Sequence, residues 1–234
     1  MNKTFKEAFK VTMPVLLGYL SIGFAFGLMI QSIGLNFIWA GGMSLSIYAG
    51  TLQYLAVVMF QGGMSLISVA LMSFFVNFRH MVYGLSLIET FKGISFFKKL
   101  YMIFALTDET YALLTSSTVP ESVKHDKENY YFYISILDQS YWIISSILGA
   151  TIGSIININT NGVSFAMIAL FCVLCVEQWM NLKDKTPVFI GGICGIISLI
   201  IFGADNMMIP AIIGIITLLL LDKKREEKEG ILDE

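Results

Sequence analysis

The chain has 234 residues, 56% of them hydrophobic and 14% charged, with a formal net charge of −2 and a mean hydropathy of +0.75. Soluble domains carry charge on about a quarter of their residues, so this composition excludes an ordinary soluble fold. Lys and Arg are few and sit mainly in short connections, so nucleic acid is not an expected partner. Apolar runs of about 20 residues, the length of a bilayer-crossing helix, recur along most of the sequence. None shows the two-residue alternation of a membrane barrel. The expectation is an all-α polytopic integral membrane protein with seven or eight transmembrane helical segments, forming a single transmembrane domain over residues 1–234.

Residues 1–10, with Lys3, Lys6 and Lys10, read as a short basic arm that stays in the cytoplasm. The apolar stretch after it is too long, and lacks a small-residue cleavage site, for a removable signal. The first span, about 11–33, holds Pro14, Gly18, Gly23 and Gly27. Gly23-x-x-x-Gly27 allows close approach of another helix, while Pro14 and the glycines also leave room for a break exposing backbone to a ligand. The second run, about 37–60, contains Tyr48 and sets Ser46, Ala49, Gly50 and Gln53 at helical spacing. Such a small, polar stripe must meet protein or water in a bilayer. It fits interhelical hydrogen bonding as well as it fits a pathway lining.

The third run, 65–88, carries Asn77, Arg79 and His80. A charge at that depth costs roughly 3 kcal/mol on insertion scales, so it normally faces a cavity or a partner. From Arg79 to Ile88 is about 13 Å along a helix, too far for easy snorkelling to a headgroup. Asn77, His80 and Gly84 share one helical face and Arg79 lies on another with Phe75 and Tyr83. The fourth segment, 100–117, has Asp108 and Glu109 at its centre, which fits a re-entrant element, and whether the segment crosses is left open. Adjacent carboxylates point about 100° apart on a helix, so they form no compact site by themselves.

Further segments are expected at about 130–156, with Asp138, Trp142 and Gly149-x-x-x-Gly153, and at 163–182, ending in Glu177 and Gln178. Two short ones follow at 187–202 and 207–221, and residues 222–234 form a charged cytoplasmic tail. Eight crossings place both termini, Lys124, Lys127, Lys183 and Lys185 inside but strand Lys92, Lys98 and Lys99 outside, against the positive-inside rule. That conflict leaves parity open. Gly23/Gly27 ahead of Gln53 is echoed faintly by Gly149/Gly153 ahead of Gln178, as in transporters with two related halves.

Enzyme chemistry finds little support. Only His80 and His125 are histidines, and no metalloprotease, phosphate-loop or hydrolase-elbow motif occurs. Cys172 and Cys175 have redox-type spacing but no partner ligands, so they read as packing residues. No metal or cofactor is expected. Polar groups scattered through the spans suit a secondary transporter or a channel, and a zwitterionic amino acid would satisfy them. A channel for a small anion or other polar solute, and a non-transporting assembly subunit, are the alternatives.

Several stretches resemble the AzlC family of branched-chain amino acid exporters. They are Pro14 with Gly23-Phe-Ala-Phe-Gly27, Tyr48-Ala-Gly50-Thr-Leu-Gln53, Asn77-Phe-Arg79-His80 through Tyr83-Gly84, and Leu106-Thr-Asp108-Glu109-Thr110. The resemblance implies a multi-pass permease of the bacterial inner membrane that exports leucine, isoleucine and valine, with methionine and analogues as further substrates. It also implies a small AzlD-like membrane partner and coupling to an ion gradient. On physical grounds, Arg79 would orient the substrate carboxylate, with Asn77, His80, Gln53, Tyr48 and Gly50 on the pathway. Asp108 or Glu109 would carry the coupling proton.

Overall fold

A computed structural model describes residues 3–116, 119–156, 172, 176, 179–180 and 184–229, all of whose regular elements are helical. Two compact units are found, Met1–Met167 and Ile168–Glu234. The predicted segment at 163–182, with Glu177, Gln178 and Cys175, lies almost entirely outside the described residues.

The first unit is built on two long helices, α1 (Lys3–Ser32) and α7 (Lys127–Ile155). Contacts pair Thr4 with Asp126, Tyr19 with Trp142, Gly23 with Ser145, Gly27 with Gly149, and Gln31 with Gly153. The two helices therefore run parallel along their whole length. Small residues make this possible, since packing rather than apolar burial holds helices together in lipid. A Cβ on Gly27 would overlap the backbone of Ser146 and Ala150, and one on Gly149 would overlap Phe24. α1 is a single helix through Pro14, and Gly23 and Gly27 serve the contact with α7 and not a break. Gly149→Val is expected to destabilise the unit by about 3 kcal/mol, the upper end for overpacking, because backbone and not a flexible side chain is in the way. Gly84→Ala, with open space around it, should leave the thermal melting of detergent-solubilised protein unchanged or raise it.

The N-terminal arm is not separate. α1 begins at Lys3, and Thr4 and Ala8 are buried. Thr4 donates to Asp126 Oδ2 at 2.6 Å, and Asn129 donates to Oδ1 at 2.7 Å. The Thr4 hydrogen bond above all holds the Asp126 carboxyl below its ordinary 3.8. A lowered folded-state value stabilises above the ordinary one, and that contribution is lost as pH falls through the folded value. Asp126→Asn should therefore flatten the acid limb of a melting profile below about pH 4.

The predicted 37–60 span is instead two helices, α2 (Phe37–Ser46) and α3 (Gly50–Gly62). The chain reverses between them at Ile47–Ala49, where Tyr48 takes a left-handed φ of 41°. Gly41 lies against Ile147 and the Leu45 carbonyl accepts from Gln139, so α2 descends along α7. α3 climbs back: Tyr54 donates to the Ile22 carbonyl, and Phe60 and Gln61 line a pocket with Ser32 and Ile33. At about 15 and 20 Å, against about 44 Å for α7, the arms are a third to a half of its length. This is a re-entrant hairpin, and the expected Ser46–Gln53 stripe does not exist because the helix breaks inside it.

α4 (Leu66–Ser86) returns the chain, packing Val69, Met72 and Val76 on the cluster of Ala49, Leu52 and Met59. The following loop lies at the same end as the N-terminus: Lys98 reaches Glu128 Oε1 at 3.0 Å and Asn129 Oδ1 at 2.6 Å. The predicted 100–117 segment is likewise two short helices, α5 (Phe96–Phe104) and α6 (Asp108–Ser116), joined at Ala105–Thr107. Tyr101 donates to Gln139 and Thr110 to Asp138, which puts this second tip halfway along α7. A 3₁₀ turn, Glu121–Asp126, then leads into α7. Two helices long and apolar enough to cross a membrane, α1 and α4, thus precede the 89–99 loop, and its lysines share an end with Lys3, Lys6, Lys10, Lys124 and Lys127. With the second run folded back on itself as two short helices, the charge distribution agrees with the positive-inside rule.

The second unit contains α8 (Thr186–Asn206) and α9 (Met208–Glu229), an antiparallel pair with Gly214 on Cys194. Residues from Asp222 continue the helix to Glu229. Among the described residues, Lys3–Ser32, Leu66–Ser86 and Thr186–Gly203 are long and apolar enough to cross a membrane.

Candidate functional site

The two re-entrant tips meet midway along α1 and α7, and most of the polar side chains predicted to matter gather there. Arg79 comes from α4, two turns before its end. Its Nη1 pairs with Asp108 Oδ2 at 2.7 Å and its Nη2 donates to Thr51 Oγ1 at 3.0 Å. One guanidinium thus ties α4 to the first residues of both α3 and α6. Tyr83, one turn on, donates to Asp108 Oδ1 at 2.7 Å and stacks on Tyr111. Asp108 sits in the first turn of α6, where the helix dipole favours a negative charge. The pair is only partly enclosed, with the Arg79 and Asp108 side chains 31% and 36% exposed.

Glu109 points another way, as the helical offset requires. It accepts from Tyr19 Oη at 2.8 Å, and Tyr19 Oη also lies 2.9 Å from Thr107 Oγ1. Thr107 caps α6 by accepting from the Thr110 amide and donates to Thr110 Oγ1 at 3.1 Å. Thr110 donates to Asp138 Oδ2 at 2.8 Å. Tyr19, Thr107, Thr110 and Asp138 are all buried, whereas Glu109 is exposed.

Gln53 is fully buried and uses both ends of its amide. It donates to Ser44 Oγ at 3.1 Å and accepts from Trp142 Nε1 at 2.9 Å. Gly50 lies under the Trp142 ring, where a Cβ would sit 3.1 Å from it. Both residues therefore pin the first tip to α7. Among the described residues, four buried side-chain polar atoms have no hydrogen-bond partner: Tyr48 Oη, Asn77 Oδ1, Arg79 Nε and Asp138 Oδ1. His80 is half-buried with its ring 6.0 Å from that of Tyr83. Pro14, Gly23 and Gly27 belong to the α1 scaffold and not to the centre. Tyr19, Thr51, Thr107, Thr110, Asp138 and Trp142 are the participants that sequence reasoning left out of the site. Among the described residues, no cluster of His, Cys, Asp and Glu is arranged to hold a metal.

Residues 14–156, which span both hairpins and this centre, match the family model described as "AzlC protein". The chain belongs to the AzlC family. It is 34% identical, over 97% of its length and 88% of the relative's, to a Bacillus subtilis protein named branched-chain amino acid transport protein AzlC. An uncharacterized membrane protein of Helicobacter pylori is 36% identical over 96% of this chain and 97% of its own. The Escherichia coli inner membrane protein YgaZ is 31% identical over 65% and 62%. No solved structure matches. With the helical architecture above, these relatives establish an integral membrane protein of a transport family. Three of the four sequence blocks that carry the family resemblance build the centre, as the first tip, the Arg79 turn and the second tip, and the Gly23–Gly27 block builds the α1–α7 contact beside it.

Proposed function

We propose that this AzlC-family protein is a secondary transporter that exports branched-chain amino acids across the bacterial inner membrane together with a small AzlD-like membrane subunit. The observation that carries the reading is the Arg79–Asp108 pair held where two half-depth hairpins meet. A zwitterion brings one carboxylate and one ammonium, the complements of these two groups. Its carboxylate would take the guanidinium, including the free Nε, and its ammonium would take Asp108 and the free Asn77 Oδ1. Exchange of one ion pair for two keeps the charges neutralised, so neither group is left without a partner. A leucine or valine side chain needs only apolar surface beyond that, and would separate the tips whose docking closes the path. Tyr48, Gly50, Gln53 and His80 act in this scheme as the frame that positions the first tip and the Arg79 turn. The name of the Bacillus subtilis relative supports the substrate class.

The test is efflux of leucine, valine and methionine from peptide-loaded cells. Strains would express this chain alone, this chain with a small AzlD-like membrane protein, or the latter pair with Arg79→Ala. Efflux that needs both proteins and is lost in the variant, with an intact complex in the membrane, is the expected result. Absence of efflux from every strain, with both proteins inserted, would overturn it.

A further inference from the structure

The side chains of Glu109, Tyr19, Thr107, Thr110 and Asp138 form one continuous hydrogen-bonded line through four links of 2.8, 2.9, 3.1 and 2.8 Å. It starts at an exposed carboxyl on α6, passes through α1, and ends at a fully buried carboxyl on α7. Every link needs one hydrogen. If both carboxyls are ionised they can only accept, so Tyr19 donates to Glu109, Thr110 to Asp138, and Thr107 to Thr110. Those three bonds use the three hydroxyl hydrogens that the line possesses. The Tyr19–Thr107 contact, 2.9 Å between oxygens, is then left with no hydrogen and no space for a water. Two oxygens that close without a proton repel, and a buried polar atom left unpaired is costly.

One added proton resolves the line in two ways. With Glu109 protonated, each group donates toward Asp138. With Asp138 protonated, each donates toward Glu109. In both arrangements all four links are made. We propose that the line holds one shared proton and carries it between the exposed Glu109 and the buried Asp138. The transfer balances: a proton enters on the Glu109 carboxylate, each O–H in turn releases its hydrogen to the next oxygen as it receives another, and Asp138 ends as the acid. No electron moves and no other reactant is required.

Surroundings of the buried end favour this role. Among the described residues, the ionisable groups found to act on Asp138 are Glu109 from α6, Tyr19 from α1, Tyr48 from the first tip and Tyr141 from α7 itself; none of these is cationic. A proton is what these neighbours leave to neutralise the carboxylate. Asp108, the other candidate by sequence, already has Arg79 and Tyr83. At the buried end, Asp138 Oδ1 has no hydrogen-bond partner, and the Tyr48 hydroxyl lies close to Tyr19 and Thr110 of the line. Tyr48 stands at the tip of the hairpin that enters from the opposite end, so a proton on Asp138 has been brought to the junction between the two sides. Calling it the coupling proton rests on the exporter reading above; its presence on the line does not.

Infrared spectroscopy of the purified full-length protein in nanodiscs at pH 7, in H₂O and D₂O, tests the proposal without any substrate. The expected result is one carboxylic-acid C=O band that shifts on deuteration. Glu109→Gln and Asp138→Asn should each abolish it, because either amide supplies the missing hydrogen and leaves the opposite carboxyl ionised. If an amide variant fails to fold, Tyr19→Phe keeps the ring, cuts two links, and should also lose the band. No band in the wild type, a band that survives in a folded variant, or one removed by sodium at constant pH would overturn the proposal. A band behaving as expected without amino acid efflux would sink the transport reading alone.

Discussion

Replacing Arg79 by lysine should lower amino acid efflux by at least about tenfold, equivalent to 1.4 kcal/mol, while changing thermal stability little. The guanidinium makes two simultaneous contacts in different directions, to Asp108 on α6 and to Thr51 on α3. An ammonium is a point charge on a flexible stem and cannot hold both in fixed relative position. The alignment of the two tips is therefore lost even though the charge is kept. The stability effect is smaller because both partners are about a third exposed, and pairs screened by solvent contribute about 0–1 kcal/mol. Arg79→Ala and Asp108→Asn should abolish efflux, each leaving one charge without its partner. The exchanged pair Arg79→Asp with Asp108→Arg restores attraction but not the fork to Thr51, so it should assemble and remain inactive. Efflux rates measured beside melting curves separate the outcomes. Wild-type efflux in the lysine variant would remove Arg79 from the pathway.

Arg79 was legible in the sequence because a bilayer penalises charge so heavily that a guanidinium inside an apolar run always has a reason. Asp108 and Glu109 were legible on the same ground, and the 100° offset between them foreshadowed their separate partners. The hairpin tip at Tyr48 was not legible. Helical spacing continues unbroken through Ser46, Ala49, Gly50 and Gln53, and no proline marks the break. What stops the helix is tertiary: Gln139 takes the Leu45 carbonyl, and Trp142 covers Gly50 and binds Gln53. These partners lie about ninety positions away, beyond any local pattern. Asp138 was visible as a buried acid, but its place at the end of a hydrogen-bonded line depends on α1 and α7 running parallel. That follows from Gly27 meeting Gly149, and the two glycine motifs by themselves do not specify their pairing. The charge conflict turned on a different feature, the break at Ile47–Ala49, since the second run has the length of a span but is two short helices.

Trp142→Ala should be the most destabilising single change at the centre. The side chain is 3% exposed, lies edge-on to Tyr19 at 5.1 Å and stacks on Phe26 at 6.3 Å. Truncation of a buried tryptophan costs about 3–5 kcal/mol. It also leaves Gln53 Oε1 without a donor, and a stranded buried acceptor adds about 1–3 kcal/mol. α2 stays packed along α7 through Gly41 and the Gln139–Leu45 bond, so the α3 side of the tip should loosen first, before the α1–α7 pair separates. Labelling of Ala49→Cys, in a background lacking the native cysteines, would report this directly, because Ala49 is 5% exposed in the docked tip. Trp142→Phe keeps most of the packing and loses only the N–H, so it should cost about 1–3 kcal/mol and label slowly. Gln53→Leu removes the other half of the same bond. If the indole–amide bond is what fixes the tip, the double variant Trp142→Phe with Gln53→Leu should be less destabilised than the two single changes summed, since the second change relieves an acceptor stranded by the first. Strict additivity would mean that the tip is held by ring packing against Gly50 and Tyr19. The amide of Gln53 would then be free to turn toward a passing substrate, a role opposite to the one its two short hydrogen bonds indicate.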